Sequence, residues 1–124
     1  MAQDVKDGVY HKSVAFPDVL LPSGYITLRY SRHALREAQT DKFLNPILLP
    51  YINLPSEINL EEMDIEEIYV EGGVVKKVTA RTPYNYLYDL TYVIAMDDFT
   101  VVTVWAIKWD DYHENVDYSK YATP

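Results

Sequence analysis

The sequence predicts an α+β protein in which one main helix packs on an antiparallel β meander of about four strands, with extended termini. Three observations predict this class: a helix signature at 32–43, β-rich alternating runs in the second half, and proline-containing or polar stretches at both ends. A helix on one face of an antiparallel sheet forms such a domain. At 124 residues and 48% hydrophobic side chains, the chain suits a single domain, 1–124, with a real core.

The helix is predicted to begin after a short strand at 24–31, "GYITLRYS". Ser31 is a good N-cap residue because its hydroxyl can accept a hydrogen bond from an amide of the first turn. A modest apolar stripe follows, formed by Ala34, Leu35 and Ala38. Pro46 is expected to end the helix, and the three prolines of 44–56 exclude a helix or central strand there.

Two hairpins are predicted in the second half. Gly72-Gly73 lies between two β-rich runs, and glycine accepts the positive φ of a tight hairpin turn. A three-residue loop at Asp97-Asp98-Phe99 would place Met96 opposite Thr100. That register puts six side chains on one core face, which Leu35 and Ala38 should cover: Leu90, Tyr92, Ile94, Val102, Val104 and Ala106.

Charge is distributed unevenly along the chain. The net charge is −8; residues 1–50 hold six bases and five acids, whereas 51–124 hold five bases and fourteen acids. A protein that binds nucleic acid normally presents a basic surface to the phosphates. Only the segment 29–42 has that character, so the overall balance disfavours nucleic acid and the local balance leaves it open.

Several classes of site are not expected. The absence of cysteine excludes disulfides and thiolate chemistry, and the three histidines do not have metal-ligand spacing. We therefore expect no metal and no cofactor. No apolar run approaches the roughly 18 residues of a membrane span, and residues 1–13 do not resemble a signal peptide. A cytoplasmic protein fits, and so does a component of a viral particle.

Tyrosine is unusually frequent, with twelve residues against three phenylalanines. A tyrosine ring can cover apolar surface while its hydroxyl stays in water. The high count therefore indicates either half-buried sheet faces or a contact surface for another protein.

One group of polar residues could cleave RNA without a metal. That chemistry needs a general base, a general acid and cations beside the developing phosphorane charge. Five residues could supply these roles in one cleft: His33, Arg36, Arg81, Thr103 and His113. The alternative is that His33 and Arg36, with the neighbouring Arg32, form the solvated face of a helix.

The stretch "YSRHALREA", which opens a helix after a strand, and the late strand "VVTVW" resemble the small RelE/barnase-type toxin-like domains. The resemblance covers about 25 residues in two pieces. It implies a helix placed before an antiparallel sheet and, in active members, metal-independent ribonuclease chemistry at the sheet face. Because a fold can be kept while its activity is lost, the resemblance does not require an enzyme.

Two functional hypotheses follow. The first is a non-enzymatic interaction or assembly protein on a RelE/barnase-like scaffold, for example a viral or phage structural component. It would contact a protein partner or a second copy through its termini, 1–22 and 110–124. The alternative is a metal-independent endoribonuclease of the RelE/barnase-like toxin type, for which RNA is the partner. The acidic charge and the tyrosine-rich ends favour the first hypothesis.

Overall fold

The computed structural model describes residues 5–45, 54–111 and 117–124. These residues contain one α-helix, α1 (Arg32–Thr40), and two 3-10 turns, Leu60–Glu62 and Tyr118–Lys120. They also form eight strands: β1 (Gly8–His11), β2 (Tyr25–Thr27), β3 (Arg29–Tyr30), β4 (Glu57–Asn59), β5 (Asp64–Glu71), β6 (Val74–Pro83), β7 (Tyr88–Ala95) and β8 (Thr100–Lys108). Most of the connector predicted at 44–56, including Pro46, lies outside the described residues.

Six of the strands form one mixed sheet in the order β1-β5-β6-β7-β8-β3. Its neighbouring strands are antiparallel except β3, which runs parallel to β8. β2 and β4 form a separate antiparallel pair. The single strand predicted at 24–31 is therefore two strands in two sheets. The chain changes partner at Leu28, whose amide donates to the carbonyl of Ser56 (2.8 Å).

The predicted fold class, an α+β domain with one main helix on a four-stranded meander, is wrong. Strands hold 44% of the described residues and helical segments 14%, so the protein is mostly β. The meander β5-β6-β7-β8 is present, but short strands at its edges extend it to six. β1 and β3 have four and two residues, too few to show a periodic pattern in the sequence. Part of the N-terminus that was expected to be extended is thus an edge of the sheet.

The first predicted hairpin is confirmed, whereas the second differs in its turn. Gly72 and Gly73 connect β5 to β6 with φ values of 64° and 74°. In the second hairpin Ala95, not Met96, pairs with Thr100, so the turn contains four residues. The register shifts by one residue between Val93 and Ile94, and the pairing beyond that bulge is the predicted one.

The bulge decides which side chains reach the core. Five of the six predicted residues are buried: Leu90, Tyr92, Ile94, Val104 and Ala106. The sixth prediction is wrong, because Val102 is only partly buried and Val101 takes its place opposite Ile94. The slip of one residue exchanges these two valines between the faces of the sheet.

Helix α1 packs on this core through small side chains. Ser31 caps it as predicted, since its Oγ accepts a hydrogen bond from the amide of Ala34 (3.0 Å). Ala34 and Ala38 are fully buried, but Leu35, which we expected over the sheet, is 47% exposed. The helix ends at Thr40, well before Pro46. It is therefore a short cover for one side of the sheet.

The two ends of α1 also bond to the outer edge of β8. The Oγ of Ser31 donates to the carbonyl of Val102 (3.3 Å), and Asp41 Oδ2 accepts from the amide of Ala106 (3.1 Å). Unpaired donors and acceptors on an edge strand invite pairing with other chains. The helix thus satisfies part of an edge that β3 is too short to cover.

Buried tyrosine hydroxyls should make the fold sensitive to alkaline pH. Burial raises the pKa of Tyr30 to about 12. Burial, followed by the charge of Tyr30, raises the pKa of Tyr92 as well. Because both exceed the ordinary value of about 10, the stability they contribute is complete below about pH 10 and is lost as the pH rises through the folded values.

We therefore expect Tyr92→Phe to keep its circular dichroism spectrum to a higher pH than the wild type. Tyr86→Phe is the matched control, because Tyr86 is 86% exposed and should not change the transition. A Tyr92→Phe protein that unfolds at the wild-type pH would contradict this origin of the alkaline transition.

Candidate functional site

The helix residues predicted for catalysis lie on an exposed surface. The His33 side chain is 68% exposed, and its Nε2 lies 3.1 Å from Glu37 Oε1. Arg36 is exposed and, within residues 5–45, 54–111 and 117–124, forms no salt bridge. This surface is on the side of the sheet where α1 packs over the core.

The other predicted residues are not brought to that surface. Thr103 pairs with Val93, and both alternate with buried core residues, so they face the opposite side of the sheet from α1. Arg81 pairs with Thr91 on that same opposite face. His113 lies outside the described residues. The structure therefore places His33 and Arg36 on one side of the sheet and Arg81 and Thr103 on the other.

Arg81 has a clear structural role. It is 6% exposed, and its Nε donates to Asp89 Oδ2 at 2.8 Å. Its other nitrogens donate to three carbonyl oxygens at the end of β8 and just after it, those of Lys108 (3.0 Å), Trp109 (3.1 Å) and Asp111 (2.6 Å). A guanidinium suits this role because it presents five donors in a rigid plane. Arg81 thus holds the segment 108–111 against the sheet.

That segment belongs to an exposed apolar surface, which we call the aromatic tip. It consists of five side chains that are 41–86% exposed at one end of the sheet: Phe43, Tyr84, Tyr86, Leu87 and Trp109. Tyr88 joins them, since its ring stacks on Phe43 with centroids 4.5 Å apart. The amide of Trp109 donates to the carbonyl of Leu87 (3.1 Å). The chain after α1, the β6–β7 loop and the chain after β8 therefore meet at this end of the sheet.

The loop that carries Tyr86 is fixed by hydrogen bonds. The side-chain oxygen of Asn85 accepts from the amides of Leu87 and Tyr88, both at 2.9 Å. The amides of Tyr84 and Asn85 donate to the carbonyl of Tyr88 at 3.1 Å. An Asn side chain that bonds the backbone two residues on is a common way to stabilise a turn. Tyr86 is consequently held out into solvent by an ordered loop.

The chemistry of the tip is that of contact rather than of reaction. Tyrosine, tryptophan and leucine side chains supply apolar area and one or two hydrogen-bond donors, but no general base near neutral pH. The charges beside the tip are mixed: Lys42, Lys108, Asp110 and Asp111 are exposed. Within the described residues, no group of three or more His, Cys, Asp or Glu side chains could hold a metal ion.

Two shallow depressions lie elsewhere on the sheet. One, of about 230 Å³, is on the face opposite α1 and is lined by residues such as Tyr69, Lys77 and Val93. The other, of about 330 Å³, lies at the end opposite the aromatic tip, beside Leu20, Val74 and Met96. Neither depression contains the predicted catalytic residues. In the described part of the chain, no helical segment has the length and apolar character needed to cross a bilayer.

The sequence indicates one of the segments of the aromatic tip, but not which other residues join it. The run "YNYLY" at 84–88 concentrates three of the twelve tyrosines, and tyrosine-rich stretches indicate contact surfaces. Trp109 and Phe43 are distant from this run in sequence and join it only through the fold. Comparison of the chain with protein-family models, with curated proteins and with solved structures returns no significant match.

Proposed function

We propose that the protein is a non-enzymatic interaction protein that binds a protein partner through the aromatic tip. The observation that carries this proposal is the exposure of Tyr86 (86%) and Leu87 (47%) on an ordered loop whose backbone is hydrogen-bonded, at Leu87, to that of the exposed Trp109 (54%). Exposed apolar patches on small proteins mark interaction surfaces, whereas single exposed apolar residues do not. The tip brings together five exposed apolar side chains, from three segments of the chain, at one end of the sheet.

The residue types at the tip suit a binding hot spot. Tryptophan and tyrosine are the residues whose removal most often costs a complex more than about 2 kcal/mol. Binding also orders the contact residues. Each side chain or loop that is flexible before binding loses conformational entropy, and this loss reduces the affinity. Asn85 and Arg81 already fix the backbone on both sides of the tip. A partner would therefore meet a surface that needs little rearrangement.

The charge of the chain favours protein over nucleic acid as the partner. Aromatic side chains can also stack on bases, but such proteins combine them with a basic groove for the phosphates. Here Asp110 and Asp111 lie beside Trp109, and the net charge is −8. A structural component of a viral or phage particle, or a cytoplasmic assembly, is the kind of setting in which such a protein would act.

Affinity capture with the full chain tests this function. We expect Tyr86→Ser/Trp109→Ser to capture at most about one tenth as much of a specific partner as the wild type does from an extract of the source cells. The reason is that loss of two side chains of the hot-spot type should weaken the binding free energy by more than about 1.4 kcal/mol, which is a tenfold change in affinity. The matched control is Leu20→Ser/Tyr25→Ser, which removes apolar side chains that are 97% and 67% exposed elsewhere. Equal loss in both double variants, or in neither, would contradict binding through the tip.

The nuclease alternative stays a prediction. The His33–Glu37 pair and the exposed Arg36 could still act together on α1, but Arg81 and Thr103 face away from them. Incubation of purified, metal-free protein with RNA tests this alternative directly, and cleavage that His33→Ala abolishes would support it.

A further inference from the structure

The C-terminal residues 117–122 occupy the outer edge of β1. The amide of Ala122 donates to the carbonyl of Val9 at 2.8 Å, as an added strand would. Gly8 stands beside this contact with φ of 155°, and a Cβ at Gly8 would lie 3.0 Å from the Cβ of Ala122. That distance is shorter than an ordinary van der Waals contact between carbon atoms, which is 3.4–4 Å. The edge of β1 is therefore shaped to let this segment approach.

A second part of the same site receives the side chain of Tyr121. Its ring lies 4.8 Å from the ring of His11, and Tyr118 packs against His11 at 5.4 Å. The Tyr121 hydroxyl donates to the carboxylate of Glu67 on β5. Tyr121 is 9% exposed, whereas 117–120 are exposed. One tyrosine and one backbone hydrogen bond thus provide most of the docking.

Docking of this kind is easily reversed. Segments with few buried contacts open locally at a small fraction of the free energy of global unfolding. Once 117–122 leave, the edge of β1 and the ring of His11 are uncovered, and an uncovered edge strand is a template for another strand. The segment that fits it best is the one already shaped to it.

We infer that the edge of β1 is a docking site for the C-terminal segment of a second copy of this chain, so that two copies can exchange their ends. The exchanged contacts would be the same ones that residues 117–122 make within one chain. Exchange of an identical element therefore forms a dimer with little loss of interaction energy. This site shares no residue with the aromatic tip, and its test does not depend on the partner proposed there.

Two complementary full-length variants isolate the exchange. In Tyr121→Ala the segment is defective and the β1 site is intact; in Gly8→Ala/Glu67→Ala the site is defective and the segment is intact. A linked segment competes at an effective concentration of order mM, and these variants remove that competition because neither can dock its own end well. At chain concentrations of about 1 mM, comparable with the effective concentration of a linked segment, we expect each variant alone to have the mass of one chain by light scattering, and the mixture to contain a species of two chains. A mixture that stays at the mass of one chain overturns the inference.

A peptide experiment gives an independent readout. A labelled synthetic peptide of residues 117–124 should bind Tyr121→Ala at least about tenfold more tightly than it binds Gly8→Ala/Glu67→Ala. The same peptide with alanine in place of its tyrosine at 121 should not bind. Circular dichroism checks that both proteins are folded, and His11→Ala replaces the double variant if that variant is not. Equal peptide affinity for both proteins overturns the inference.

Discussion

Replacing Arg81 with methionine is expected to reduce the free energy of unfolding by about 3–5 kcal/mol, since removing one partner of a buried ion pair leaves an uncompensated charge. Here that charge is Asp89, whose side chain is 16% exposed. The carbonyls of Lys108, Trp109 and Asp111 would lose a donor at the same time. Methionine keeps much of the side-chain volume, so the loss reports mainly on hydrogen bonds and charge. Urea unfolding followed by circular dichroism measures it.

The control for this prediction is Arg36→Met. Arg36 is exposed on α1, and surface substitutions of that kind usually change stability by less than about 0.5 kcal/mol. We also expect Arg81→Met, but not Arg36→Met, to loosen the chain around Trp109 and change its fluorescence. If both variants were equally stable, the hydrogen bonds of Arg81 would not hold the segment 108–111.

Ile94→Ala is expected to cost about 2–5 kcal/mol, because it removes a buried side chain and leaves a cavity that the core closes only in part. Ile94 is fully buried at the centre of the sheet, where it pairs with Val78 on β6 and Val101 on β8. Thermal or urea unfolding measures the loss.

The two valines at the bulge provide a matched test of the register. Val101 is fully buried and Val102 is only partly buried, although the sequence pattern predicted the reverse. Val101→Ala should therefore reduce the free energy of unfolding clearly more than Val102→Ala. The reason is that it removes two buried methyl groups from the core and leaves a cavity in their place. A larger loss of stability in Val102→Ala would support the register with a three-residue turn and contradict the bulge.

Local rules predicted the elements that depend on neighbouring residues. Gly72-Gly73 marked the first hairpin because the turn needs positive φ, and Ser31 marked the helix start because a hydroxyl can cap it. Alternation placed Leu90, Tyr92 and Ile94 on one face. The bulge escaped prediction because Val101 and Val102 are adjacent, chemically identical residues, and only pairing geometry distinguishes them.

The function of Arg81 could not be predicted in the same way. An arginine in a β-rich run is compatible with a catalytic cleft, an ion pair or an exposed face, and its three carbonyl partners lie 27–30 residues further along the chain. Likewise the short strand β1 and its cover of residues 117–122 meet only in three dimensions. The tyrosine count indicated either half-buried sheet faces or a contact surface, and only the fold places Trp109 beside Leu87.

The aromatic tip as the binding surface can be tested most directly by photo-cross-linking from two positions. A benzophenone side chain placed at position 86, in place of Tyr86, would lie at the tip, and one placed at position 33, in place of His33, would lie on the exposed face of α1. Both substitutions are at exposed positions, so both proteins should fold. After irradiation in an extract of the source cells, we expect a discrete adduct with a second protein from position 86 and none from position 33. An adduct from position 33 alone would contradict binding through the tip and would indicate that the exposed face of α1 contacts the partner.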